Sequence, residues 1–166
     1  MKPLFIPLVL FLSLLCSCSP SDDDVNLFES SKIEEASINV VYSDIETEIL
    51  NLVNKYRETN NLSTLTVLNI ISKEADTHTK FMITNGEVSH ANFNLRAQNL
   101  INNAGAKSVS ENVAFGYSSA QSVVNGWINS SEHRKIIETP DFTHFGISTD
   151  SDSSGRNYFT HIFIKK

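Results

Sequence analysis

The sequence predicts an α+β domain in which a small antiparallel sheet carries helices on its faces. Two observations predict it. Apolar residues recur at helical spacing through most of the chain from Ser43 onward, and the chain closes on two runs rich in β-branched and aromatic residues. No internal repeat interrupts this order.

Ser43-Asp-Ile-Glu46 has the Ser-x-x-Glu form of a capping box, in which the two side chains satisfy backbone N–H groups that a helix start leaves unpaired. Ile45, Ile49, Leu52, Val53 and Tyr56 then share one face of a helix that runs to about Asn60. Asn60 and Asn61 break that pattern. From about Leu68 a second helix places Ile71, Ala75, His78 and Met82 on one stripe, and Gly86 suits the left-handed residue that ends it. A third helix runs from Phe93 to about Asn103 and stops at Gly105; a fourth spans Ala120 to Asn129 with Val123, Val124 and Trp127 inward. Ser130 and Ser131 are expected to cap a short fifth helix carrying Ile136 and Ile137, since serine oxygens accept the free N–H groups of a helix start. Phe145–Thr149 and Tyr158–Ile164 read as a hairpin around the polar segment with Gly155, and Val113–Phe115, after Glu111 and Asn112, adds a further strand.

The N-terminus carries a different signal. The apolar run from Leu4 to Leu15 falls well short of the roughly 20 residues that span a bilayer, so residues 1–17 read as a signal peptide. Leu15-Cys-Ser-Cys18 resembles a bacterial lipobox, with cleavage before Cys18 and acylation of that cysteine. Residues 18–43 form an acidic tether: six acidic side chains stand against Lys32 alone, a net of −5. The Ser-Asp-Asp-Asp run after Cys18 resembles the acidic signals of some surface-exposed lipoproteins.

The folded domain then occupies residues 44–166, with 13 acidic and 11 basic side chains. Nucleic acid is excluded as a partner, because phosphate binding needs clustered Lys and Arg and none is present. Membrane attachment falls to the lipid on Cys18. Only one cysteine survives cleavage, so no intrachain disulfide supports the fold.

Four segments carry the chemistry: "HTKFMITNGEVSH" (residues 78–90), "SENVAFG" (residues 110–116), "WINSSEHRKIIETPDFTHFGIS" (residues 127–148) and "YFTHIF" (residues 158–163). In that order they resemble the bacterial branch of the CAP superfamily, also called SCP-like domains, over residues 44–166. The resemblance implies an α-β-α sandwich with a cleft whose first histidine matches His90 and whose glutamate matches Glu111, with Ser110 in place of the usual glycine. The bacterial Trp-x-x-Ser-x-x-His-Arg motif matches Trp127, Ser130, His133 and Arg134. Where animal and plant members place a second cleft histidine before Tyr-Thr-Gln on the last strand, this chain has Asn157-Tyr-Phe-Thr-His161, which leaves the full tetrad open.

The candidate cleft set is therefore His90, Glu111, His133, Glu132 and His161, with Glu132 also suited to the first turn of a helix and His161 on a strand whose inward face the pattern does not fix. His78 is expected to pack, and His144 to lie in a loop or at a strand edge. A hydrogen-bonded histidine and glutamate network needs no cofactor, and beside Glu111 an imidazole is expected to favour its charged form. The metal alternative is Zn²⁺ on His90 and His133, although the residues lack the short spacing of a dedicated zinc motif. Ser130 stands three residues before His133, but no nucleophile elbow or oxyanion loop accompanies it.

These residues give a leading function and two rivals. The leading one is an envelope lipoprotein whose domain binds a small molecule, lipid or cell-wall ligand without turnover. Against it stand an envelope hydrolase of peptide or glycan, with Glu111 or His133 as general base, and a surface-interaction module with a vestigial cleft.

Overall fold

The computed structural model describes residues 38–166, so the segment read as a signal peptide, Cys18 and most of the segment read as a tether lie outside the described residues. Helix α1 (Asp44–Thr59) leads through a two-residue strand β1 (Thr66–Val67) to α2 (Asn69–Asn85) and α3 (Phe93–Ala104). Strand β2 (Ser108–Phe115) follows, then α4 (Ala120–Asn129), the short α5 (Ser131–Ile137), β3 (His144–Ser151) and β4 (Asn157–Lys165). The sheet order is β1-β3-β4-β2. Its three long strands pair antiparallel, and β1 joins β3 in parallel at Thr66↔His144 and Val67↔Phe145. The α+β class stands; this short parallel strand is an addition that two exposed residues gave no alternation to reveal.

Alternation along β4 sorts the core into two layers. Phe159, His161 and Phe163 face α1 and α4 with Trp127, Phe145 and Ile147. Ile162 and Ile164 face the other way, against Ile71, Ala75, Leu100 and Ala104 of α2 and α3. Helices thus cover both faces of the sheet, as the sandwich requires. Gly146 shows how closely α2 approaches: a Cβ there would meet the Ser72 backbone nitrogen at 2.5 Å.

The helix boundaries follow the local chemistry. Glu46 Oε2 accepts from the Ser43 N–H at 2.8 Å and from its hydroxyl at 2.7 Å, which opens α1, while Gly86 and Gly105 take the left-handed conformation after α2 and α3. Two details differ from the expected pattern. The buried stripe of α1 is Glu46, Ile49, Leu50, Val53 and Arg57, with Ile45, Leu52 and Tyr56 only partly covered. Strand β2 also begins at Ser108, so that Glu111 lies on the strand instead of before it. Residues 38–43, the described end of the segment read as a tether, lie against α2: Asn69 Nδ2 donates to Ile38 O at 2.8 Å and the Tyr42 hydroxyl donates to Asn69 Oδ1 at 3.0 Å.

Candidate functional site

The site is built around the one carboxylate that the sheet buries at its outer edge. Glu111 pairs with Ile162 in the ladder, which turns its side chain toward α2 and α3. There Arg96, from the first turn of α3, meets it side-on: Nε donates to Oε2 and Nη2 to Oε1, each at 2.8 Å. The remaining arm of Arg96 donates from Nη1 to Ala91 O at 2.7 Å, so one guanidinium ties both the glutamate and the loop before α3. That loop carries His90, whose Nδ1 lies 2.9 Å from Glu111 Oε1. A carboxylate can only accept, so Nδ1 holds the proton and Nε2 is left toward the open side. His90 is 53% exposed while Glu111 is 1% exposed.

His78 completes the back wall. Its Nε2 donates to Ser89 O at 2.7 Å and lies 3.9 Å from Glu111 Oε1, so it packs with a satisfied polar edge, as expected. Burial holds its pKa below the ordinary histidine value, with Ser89 and Glu111 only partly opposing. For Glu111 itself, burial would raise the carboxyl, but the hydrogen bonds from His90 and Arg96 and the Arg96 charge outweigh it, and its pKa falls below the usual carboxylate range.

His133 comes from the other side of the sheet edge, on α5. The backbone of that helix is held by Asn112 Nδ2, which donates to His133 O at 3.1 Å, and by Arg57, which donates to Ile137 O at 2.6 Å beyond it. Ser130 occupies the N-cap position but makes no capping bond; its hydroxyl lies 2.8 Å from His133 Nδ1. Ser131 is the first residue of the helix, inside the cap. The capping role expected of both serines is thus replaced at Ser130 by orientation of the imidazole, which leaves Nε2 for the cleft. The expected preference for a charged imidazole fails at His133, where burial and then the neighbouring His90 lower the pKa, with Glu132 opposing.

His90, Glu111, Glu132 and His133 line one hollow of about 330 Å³ together with Ser110, Lys135, Ile136 and Thr139. A second, more apolar hollow of about 220 Å³ continues from His90 over Phe93, Val109 and Ile136. His161 does not join them. It pairs with Asn112, on the face opposite Glu111, and sits fully buried between Trp127, Phe145 and Phe163, with ring centroids 4.3–5.5 Å away. Among the described residues neither ring nitrogen has a hydrogen-bond partner, and burial pushes its pKa down to about 3. It is a core residue, a correction that strand parity makes necessary. His144 opens β3 between Thr66 of β1 and Ile164 of β4, inside the sheet and not in the loop or at the strand edge expected of it.

The donors fit a resident zinc ion poorly. Both oxygens of Glu111 are taken, Arg96 sets a fixed positive charge against them, and among the described residues no three His, Cys, Asp or Glu side chains converge to hold a metal.

Residues 50–163 match the sequence profile of CAP, the cysteine-rich secretory protein family. The chain belongs to the CAP family. Its bacterial relatives include the "Uncharacterized membrane protein YlbC" of Bacillus subtilis, 27% identical over 84% of this chain and 40% of that protein. The "Uncharacterized protein YkwD" of the same organism is 30% identical over 75% of this chain and 48% of that one, so the CAP chain spans under half the length of these two relatives. Among solved structures, an extracellular SCP-domain protein from Bacillus anthracis superposes with a TM-score of 0.65 at 25% identity, covering 77% of this chain and 45% of that one.

In this CAP chain one hollow brings together His90, Glu111 and His133, while Arg96 carries no mark in the sequence motifs. One signal for it was present. Arg96 shares a helical stripe with Leu100 and Ala104, and a charge on a buried stripe requires a buried partner.

Proposed function

We propose that this CAP protein is a cell-envelope lipoprotein, anchored through acylated Cys18, whose domain binds a ligand at His90, Glu111 and His133 without turning it over. The observation that carries this reading is the state of Glu111: a general base needs access to its substrate and a pKa near the working pH, whereas this carboxylate is buried, accepts three hydrogen bonds from His90 and Arg96, and has its pKa held below the ordinary value. What faces the opening is a pair of half-exposed imidazoles above a fixed ion pair, an arrangement suited to hydrogen-bonding a polar group. For the envelope location, no described helix is long and apolar enough to cross a membrane, and the relatives include a membrane protein and an extracellular protein.

The hydrolase reading draws on one observation, the 2.8 Å contact of Ser130 Oγ with His133 Nδ1. A serine beside a histidine base is the start of a nucleophilic site, but the sequence around Ser130 has no Gly-x-Ser-x-Gly elbow. Turnover of peptide and glycan substrates, with and without Zn²⁺, beside His90→Ala and Ser130→Ala tests the choice. The binding reading expects no turnover above the variants; a rate that Ser130→Ala abolishes with folding intact contradicts it. Cys18→Ser is expected to release the protein or leave an unprocessed precursor, and unchanged fractionation and processing contradict the anchor.

A further inference from the structure

We infer that the cleft takes an extended peptide as an added strand on the open edge of β2. This rests on the reading of the cleft as a ligand site and names the class of ligand.

Strand β2 is an outer strand, paired on one side with β4. Its ladder parity follows from two bonds at its far end. Gly116 N–H donates to Asn157 O at 2.8 Å, so even-numbered residues turn their backbone toward β4, and Val113 O, on the outward side, accepts the Trp127 indole N–H at 3.2 Å. Val109 and Glu111 share the parity of Val113, which aims their N–H and C=O groups away from the sheet.

The sheet edges are capped at several other positions. On the opposite edge β1 covers the start of β3, the Ser72 hydroxyl accepts from Ile147 N–H at 3.1 Å, and Glu46 Oε1 accepts from Thr149 N–H at 2.7 Å. On β2 the Trp127 indole closes Val113. Between Val109 and Glu111 no hydrogen bond among the described residues caps the outward backbone. Proteins commonly cover or blunt such edges, because an open row of donors and acceptors templates another strand.

The open stretch is also the floor of both hollows, which share His90, Ser110, Glu111 and Ile136. His90 and Phe93 stand on one side of it, and Ile136 and His133 on the other. The geometry is that of strand addition, where main-chain bonds hold the peptide and alternate side chains enter pockets. Phe93, Val109 and Ile136 form an apolar receptacle for one aliphatic side chain. The polar hollow sets Lys135 near Glu132, opposite charges that select no single ionic ligand and suit a mixed-polarity chain.

The probe is a synthetic array of octapeptides with alternating aliphatic and polar residues, screened against the full chain; the best binder is titrated into ¹⁵N-labelled protein. Amide shifts are expected to centre on Val109, Ser110 and Glu111. N-methylation of alternate peptide residues distinguishes strand addition from other modes: one parity weakens binding about fivefold per residue, the cost of a lost backbone bond, and the other leaves it unchanged. Val109→Pro removes an outward donor without touching the β4 ladder and is expected to weaken binding similarly, with an unchanged melting temperature as the check on folding. Should that variant unfold, Ile136→Lys, which fills the apolar hollow, supplies the same loss. N-methylation without parity dependence, or shifts elsewhere on the protein, overturns strand addition. A set of non-peptide fragments on the same labelled protein separates the two readings. Fragment shifts at His90 and His133 with silence from the peptides overturn strand addition and leave the ligand cleft standing; silence from both overturns both.

Discussion

Arg96 holds Glu111 by both oxygens at 2.8 Å, and the pair is buried to 7% and 1% exposure at the edge of the sheet. Removing one member of such a pair leaves an uncompensated buried charge, so Arg96→Ala is expected to cost about 3–5 kcal/mol in chemical denaturation. Replacing both, as Arg96→Leu with Glu111→Leu, is expected to cost less than Arg96→Ala alone. A loss below about 1 kcal/mol for Arg96→Ala, the level of a surface pair, contradicts the buried geometry.

His161 makes stability depend on pH. Its folded pKa of about 3 lies below the ordinary 6.5, so the unfolded chain binds the proton more tightly. Its contribution is present above pH 6.5 and lost as pH falls from there toward 3. Denaturation at a series of pH values should show that slope, and His161→Phe should flatten it while raising stability at neutral pH, since two unpaired ring nitrogens leave the aromatic core. An unchanged slope in His161→Phe contradicts the assignment.

Two serines at helix starts separate capping from orientation. Ser119 Oγ accepts the Ser122 N–H at 3.2 Å, so Ser119→Ala is expected to cost about 1 kcal/mol. Ser130→Ala should cost less in stability yet change the tautomer balance of His133, visible in its imidazole ¹⁵N shifts, because the hydroxyl serves Nδ1. Equal stability losses with unmoved His133 shifts would make Ser130 a cap after all.

Trp127 is 2% exposed, donates to Val113 O and meets Phe159 edge-on, so Trp127→Ala should cost about 3–5 kcal/mol. His133→Ala, six residues on and partly exposed, should cost far less in the same denaturation series. A His133 variant as unstable as the Trp127 variant would make the segment from Trp127 to Ile137 a packing element alone.

The parts of this fold that were legible in the sequence are those where one local rule decides. Ala120–Asn129 and the ends of α2 and α3 at Gly86 and Gly105 follow from apolar period and a left-handed stop. Parity across strands is not local, which is why the face of His161 stayed open: its partner Asn112 fixes it, and that pairing exists only in the sheet. Arg57 and Arg96 were hidden for another reason. Each sits on a buried stripe, and what satisfies it lies far along the chain: carbonyls of Ile137 and Thr139 for one, Glu111 for the other. Ser130 obeyed the positional preference for an N-cap while its hydroxyl bonded to His133, a choice that position alone does not encode.

Whether Glu111 is a fixed structural anion or a working base is decided by its own titration, followed through the side-chain carboxyl ¹³C shift of the folded protein. The folded pKa is depressed, so the stabilisation it provides is present above the ordinary 4.5 and lost only as pH falls through the lower folded value. A midpoint below 4.5 that rises in His90→Ala is the expected result, since His90 is the first of the groups that lower it. A midpoint near neutrality, the mark of a poised general base, would contradict ligand binding without turnover.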